Sequence, residues 1–219
     1  MGIIDHSISG DHASDFKWVI KRAIDFLFSA MLLVFLMPVI LIIATLIFSE
    51  SRGNPIFSQK RVGKNGKLFT IYKIRTLYRH HFGLFQDQPD PYRVTPIGKY
   101  LRRSKLDELP QLFNILLGDM SFVGPRPFIP FEFDFDENLR TGRVLIKPGL
   151  TGVAQVSGNT KLGKSNIAWM DIWYVKNYSL GLDIKILIFT LTAIVKGENQ
   201  YDDPFNLHNK LPVKSYTDL

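Results

Sequence analysis

Asp107 and Glu108 stand side by side in the run SKLDELPQL (residues 104–112), directly after the most basic stretch of the chain. Between Arg52 and Lys105 there are 13 lysines and arginines against 2 acidic residues, a far denser positive balance than the +7 of the whole 219-residue chain. An adjacent carboxylate pair facing that much positive charge suits phosphoryl chemistry. The cations hold phosphate oxygens, and one carboxylate attacks or binds a metal. A long apolar segment earlier in the chain points to a lipid as one substrate.

Other residues carry weaker signals. Arg126 sits between Pro125 and Pro127, and the following proline restricts it to extended backbone. A rigidly framed arginine suits bidentate phosphate binding, and a solvated arginine in a surface turn is the plainer alternative. Lys73 and Arg75 alternate with apolar residues on an expected strand, so they form one solvated face unless that face is the site. The glycine-rich run at 147–152 has the make-up of an anion-binding backbone turn or of a turn alone. His80 and His81 lack a second histidine or cysteine at ligand spacing, which argues against zinc. Magnesium fits better, since it is held by one or two carboxylates together with substrate phosphates, and Asp107 or Glu108 can supply them. The competing structural reading of the pair is a capping box, with Ser104 as the cap and Asp107 three residues later.

These residues need elements to hold them. Residues 54–76 read as a β-hairpin around the GKNG turn at 63–66. Leu109, Leu112, Phe113 and Leu116 recur at helical spacing, with Gly118 as the stop. On that helix Asp107, Gln111 and Asn114 share a polar face. Two loops rich in glycine and proline follow, at 118–127 and 147–152. Residues 165–175 and 182–195 read as helices, the second apolar but too short to span a membrane. Residues 80–92 read as a loop. The absence of cysteine excludes disulfides and thiolate chemistry. A sequence pI of about 9.5 points to anionic partners.

Residues 26–48 carry no charge, and only Ser29, Pro38 and Thr45 interrupt the apolar run. As a helix this is roughly 34 Å, enough for a hydrocarbon core of about 30 Å. It is too long for a cleaved signal peptide, and no small-residue cleavage site follows it. Both flanks are basic, so charge sets no orientation. Pro38 removes a backbone hydrogen bond near the middle and favours a kink. A bent helix that enters one leaflet and returns reconciles these features; a kinked spanning helix is the alternative. The resulting division is a polar tail at 1–16, a re-entrant membrane helix at 17–50, a catalytic domain at 51–198 and a polar tail at 199–219.

The LDELPQ block at 106–111 and the GDMSFVGPRP block at 118–127, in this order and spacing, resemble the monotopic phosphoglycosyl transferases, the bacterial sugar transferases that act on polyprenyl phosphate. The likeness runs from about residue 21 to 197. It includes Lys21, Arg22 and Asp25, the Pro38 helix, the QKRVG and YKIRT runs, PGLTGVAQ at 148–155, and Asp171 with Tyr174. The resemblance implies a compact α/β catalytic domain on the cytoplasmic face of the bacterial inner membrane, anchored by a Pro-kinked re-entrant helix. It implies that Asp107 is a covalent nucleophile towards a UDP-sugar, expelling UMP and passing the phospho-sugar to polyprenyl phosphate in the first membrane step of surface-glycan assembly. Glu108 is then assigned to proton handling or site organisation. Lys73, Arg75, Arg102 and Arg126 are assigned to the substrate phosphates, and Mg²⁺ is required, with Asp107 as its ligand. Membrane lipids are expected partners, nucleic acid is not, and a homodimer is left open. Three positions depart from the family pattern: Met37 before Pro38, Lys105 in place of a frequent serine, and Lys147 in place of arginine.

Two readings from other classes compete. A membrane-tethered nucleic-acid-binding module accounts for the charge, but the chain lacks a helix-turn-helix or aromatic-interleaved basic signature. A UDP-sugar hydrolase would release UMP at full rate without a lipid acceptor.

Overall fold

A computed structural model describes residues 12–78, 94–132, 138, 141–158, 162–196, 204–207 and 210–211. The His80–His81 pair and the whole loop expected at 80–92 lie outside these residues. The architecture is mixed and dominated by helix, with two small two-stranded sheets.

Helix α1 (His12–Glu50) begins within the stretch expected to be a loose tail. Pro38 lies inside it, and helix is assigned on both sides of the proline. Leu33, Ile40, Ile43 and Ile47 are buried in a cluster with Phe69, Ile71, Ile74, Leu101, Leu112 and Ile115. The other face of α1 is apolar and exposed, as at Leu27, Val34, Phe35 and Ile42. It contains the one span among the described residues that is long and apolar enough to cross a membrane, Phe16–Glu50.

Strands β1 (Ile56–Val62) and β2 (Leu68–Ile74) form the expected antiparallel hairpin, with Ile56 opposite Ile74 and Val62 opposite Leu68. Its turn places Asn65 and Gly66 in the left-handed region (φ 56° and 75°), which asparagine and glycine tolerate best. Helix α2 (Pro96–Ser104) starts with a Thr95 cap that accepts from the Gly98 N–H, and proline occupies its first turn. It ends at Lys105, a non-glycine residue in the left-handed region (φ 59°). A single 3-10 turn (Leu106–Glu108) then carries the carboxylate pair into helix α3 (Gln111–Leu117), which stops at Gly118 (φ 89°). The helix expected from 109 is therefore split, because Pro110 has no N–H to continue the turn.

Strand β3 (Ser121–Val123) pairs in parallel with β4 (Gly149–Thr151). This pairing explains the two glycine-rich loops. A Cβ on Gly149 would lie 2.1 Å from the Gly124 nitrogen, so the loops can approach this closely only with glycine there. Helices α4 (Val153–Val156), α5 (Lys164–Lys176) and α6 (Leu180–Lys196) close a second core around Val123, Met170, Tyr174 and Ile186. Leu207 and Leu211, within the stretch expected to be a polar tail, are buried in that core. Phe122 packs against both clusters and joins them.

Candidate active site

Asp107 and Glu108 have adjacent positions but different environments. Glu108 Oε1 accepts a hydrogen bond from Lys73 Nζ at 2.8 Å, across from strand β2. Burial pushes the Glu108 carboxyl up, but the charge and hydrogen bond of Lys73, aided by Arg126 and Lys105, outweigh it and hold the group below its usual value. Asp107 is 8% exposed, and its Oδ1 has no partner among the described residues. Burial, together with the neighbouring Glu108 charge, lifts Asp107 to about 6 against the opposing pull of Lys73, Lys105 and Arg102. One carboxylate is thus committed to a lysine, while the other is poised near neutrality with an open oxygen.

The 3-10 turn reverses the competing prediction of a capping box. Ser104 is the last residue of α2, and its hydroxyl donates to the carbonyls of Tyr100 (2.8 Å) and Leu101 (3.2 Å) instead of capping the next helix. Asn114, expected to share a polar face with Asp107, is used differently. Its Nδ2 donates to the Thr70 carbonyl (2.7 Å) and its Oδ1 accepts from the Tyr72 N–H (3.2 Å). The side chain thereby acts as a strand partner for β2 and fixes α3, and the carboxylates before it, against the strand that carries Lys73.

Arg126 is exposed between two buried prolines. The Gly149 N–H donates to the Pro125 carbonyl (2.9 Å) and the Gly124 N–H to the Thr151 carbonyl (3.0 Å), so the parallel pair holds the arginine's loop from both sides. Asp171 accepts from the backbone N–H of Arg126 and from the guanidinium of Arg143, which also lies 4.0 Å over the Phe128 ring. With its loop fixed this way, Arg126 lines a small cleft together with Arg61, Lys73, Glu108, Gln111 and Gln155. Gln111 Nε2 and Gln155 Oε1 are buried and have no partner among the described residues, so two amides also face this cleft uncommitted.

The sequence-predicted cations do not all converge. Lys73 and Arg126 meet Glu108 in the cleft. Arg102 lies close enough to Asp107 to act on its charge, and its Nε donates to Thr76 Oγ1 at 2.8 Å. Arg75 is elsewhere. It is buried and donates to the carbonyls of Ser51 and Arg52 just beyond the end of α1, so its position serves the anchor and not a phosphate. Arg61 and Gln155 were present in the sequence motifs but carried no distinct signal of a site role, because their convergence depends on the register of β1 and on the second loop. Among the described residues no three His, Cys, Asp or Glu side chains group as a metal cage. Magnesium needs less than that, and the unpartnered oxygen of Asp107 near Lys73, Lys105 and Arg102 fits the one-carboxylate mode.

The model of the family described as Bacterial sugar transferase matches residues 16–197. A UDP-glucose:undecaprenyl-phosphate glucose-1-phosphate transferase of Klebsiella pneumoniae is 37% identical over 183 residues, which cover 79% of this chain and 39% of the relative. A UDP-N-acetylgalactosamine-undecaprenyl-phosphate N-acetylgalactosaminephosphotransferase of Aeromonas hydrophila is 38% identical over 192 residues, covering 81% and 44%. The protein named Uncharacterized sugar transferase EpsL of Bacillus subtilis (strain 168) is 36% identical over 181 residues, covering 82% and 89%. The chain thus spans about two fifths of the length of the first two relatives and most of the third. On the family match across 16–197 and these identities, the chain belongs to the bacterial sugar transferase family.

Proposed function

We propose that this chain transfers a sugar phosphate from a UDP-sugar to a polyprenyl phosphate such as undecaprenyl phosphate, releasing UMP, and that Asp107 carries the sugar phosphate between the two. The observation that carries the reading is the contrast within the pair: Glu108 is tied to Lys73, while Asp107 is buried, poised at about 6 and open at Oδ1. In the first step an Asp107 oxygen forms a bond to the phosphorus that bears the sugar, and the bond from that phosphorus to the UMP oxygen breaks. In the second, an oxygen of the lipid phosphate forms a bond to the same phosphorus, and the acyl-phosphate bond breaks to return the carboxylate. Lys73, Arg126 and Arg102 are placed to balance charge on the phosphate oxygens. Glu108, hydrogen-bonded to Lys73 and held ionised, orients that lysine in the site. Held by Asp107 together with substrate phosphates, Mg²⁺ would add positive charge at the phosphate of the departing UMP.

The way α1 is tied supports the membrane part of the proposal. Near its start, Lys21 pairs with Asp183 (2.6 Å), Arg22 donates to the Ile115 and Leu116 carbonyls (2.7 Å each), and Asp25 accepts from the Phe122 N–H (3.2 Å). At its end, Glu50 accepts from the Ile97 N–H (3.0 Å). Both ends thus touch the same domain. This supports an anchor that enters and leaves one leaflet of the inner membrane, bending at Pro38, with the catalytic domain on the cytoplasmic face.

The test is a UDP-sugar radiolabelled in the sugar, mixed with the protein and Mg²⁺ without lipid. The expected result is up to one equivalent of UMP per site, with the label retained on a fragment containing Asp107 after a rapid neutral quench. Undecaprenyl phosphate should discharge that label into lipid. UMP release at full rate without lipid would make the chain a hydrolase. UMP release only when lipid is present would leave direct attack by the lipid phosphate as the mechanism.

A further inference from the structure

Two larger cavities meet at Arg126. One, of about 490 Å³, is lined by Arg61, Asn138, Thr141, Arg143 and Lys164. The other, of about 310 Å³, is mostly apolar. Helix α6 walls it with Leu187, Thr190, Ala193 and Ile194, and Leu109 and Phe122 contribute further apolar surface. Its charged lining is Arg103, Lys105, Arg126 and Glu108. An apolar body beside three cations complements an amphiphile with an anionic head. A hydrocarbon chain suits this lining better than a uracil ring or a sugar does, and the first cavity offers those groups more donors and acceptors beside its own apolar residues.

The outer face of α6 points to the same ligand. Ile184, Ile188, Leu191 and Val195 recur at helical spacing and are all exposed. Leu187, 38% exposed, belongs both to the cavity lining and to that apolar surface. A chain leaving the cavity past Leu187 therefore continues along hydrocarbon. The wall is also fixed in place, because Thr190 Oγ1 lies 2.8 Å from Thr151 Oγ1 on β4.

We propose that the cavity behind α6 holds the first isoprenoid units of the acceptor lipid, with its phosphate against Arg126 and Lys105, and that the nucleotide sugar occupies the more polar of the two cavities, across Arg126. This assignment rests on the transferase reading above. Each substrate then reaches the same phosphate position from its own side, and α6 sets which acceptors are used.

The experiment is a farnesyl phosphate carrying a diazirine in its terminal unit, photolysed with the full-length protein in nanodiscs, with undecaprenyl phosphate as competitor. Label on the 182–196 segment that undecaprenyl phosphate displaces is expected. Label confined to α1 or to the Arg143–Lys164 side would overturn the assignment. In parallel, Ala193→Trp should raise KM for undecaprenyl phosphate by about tenfold or more, while KM for the UDP-sugar changes by less than about twofold. Ala193→Leu should give a smaller shift in the same direction should the larger side chain prevent folding. Equal increases in both constants for Ala193→Leu, or none, would refute the partition. If the wild-type protein transfers no sugar phosphate yet displaceable label appears in α6, the transferase reading fails and the prenyl-phosphate site stands.

Discussion

Replacing Asp107 with asparagine should stabilise the protein while abolishing its turnover. The Asp107 carboxyl is raised from 3.8 to about 6, chiefly because the charged form has lost water. At about 1.4 kcal/mol for each pH unit, that gap corresponds to about 3 kcal/mol of unfavourable energy once the group is ionised. The sign follows from the direction. A carboxyl that holds its proton more tightly in the folded state favours folding at low pH and disfavours it as pH rises through 6. The full cost is present above about pH 6 and gone below 3.8. Asp107→Asn keeps the shape and removes the charge, so it should relieve that cost at pH 7.5. For a chain of this size, a change of about 1 kcal/mol moves the melting temperature by about 2–4 °C, so a rise of several degrees is expected. The assay is thermal unfolding of both proteins in the same detergent, at pH 7.5 and again near pH 4.5. The gap in melting temperature should narrow sharply at the lower pH. An asparagine variant no more stable than wild type at pH 7.5, or a gap independent of pH, would refute the claim that Asp107 is held ionised against its environment.

Further measurements probe other parts of the same reasoning. On the proposed mechanism the ionised form of Asp107 attacks, so kcat/KM should fall about tenfold for each pH unit below 6, and a profile flat down to pH 5 would exclude Asp107 as the titrating nucleophile. Asn114→Ala should destabilise the fold by about 1–3 kcal/mol, read by chemical denaturation, since the Thr70 carbonyl and Tyr72 N–H lose their partner. Ser58→Cys, an exposed position on β1 in a chain without native cysteine, should resist an impermeant thiol reagent in intact cells and react once the cells are opened. Labelling from outside would place the catalytic domain on the wrong face.

The parts legible in the sequence are those that local rules govern. The GKNG turn fixes the 56–74 hairpin, apolar spacing marks α3, α5 and α6, and proline on each side of Arg126 marks a constrained loop. The carboxylate pair was legible by type and neighbourhood. The division of labour within it was not, because Lys73 reaches Glu108 across 35 residues of chain and its choice of partner depends on Asn114 seating α3 on β2. Arg75 shows the same limit in the other direction. Its place two residues after Lys73 suggested the same ligand, but the end of β2 turns it towards the carbonyls that close α1. Burial of Leu207 and Leu211 was hidden because their surroundings in sequence are polar, and the surface that covers them comes from residues far earlier.

The guanidinium of Arg22 binds the carbonyls of Ile115 and Leu116. Those carbonyls belong to the last turn of α3, where a helix runs out of N–H donors of its own to pair with them. The helix that presents the reactive carboxylates is therefore finished by a side chain from the membrane anchor. A chain shortened past residue 22 keeps the apolar 26–48 segment yet loses the side chain that closes α3, so the first turns of α1 serve the candidate site as well as the apolar segment. Soluble versions of this enzyme should be sought by replacing the outward-facing apolar residues of α1, with the helix itself kept in place.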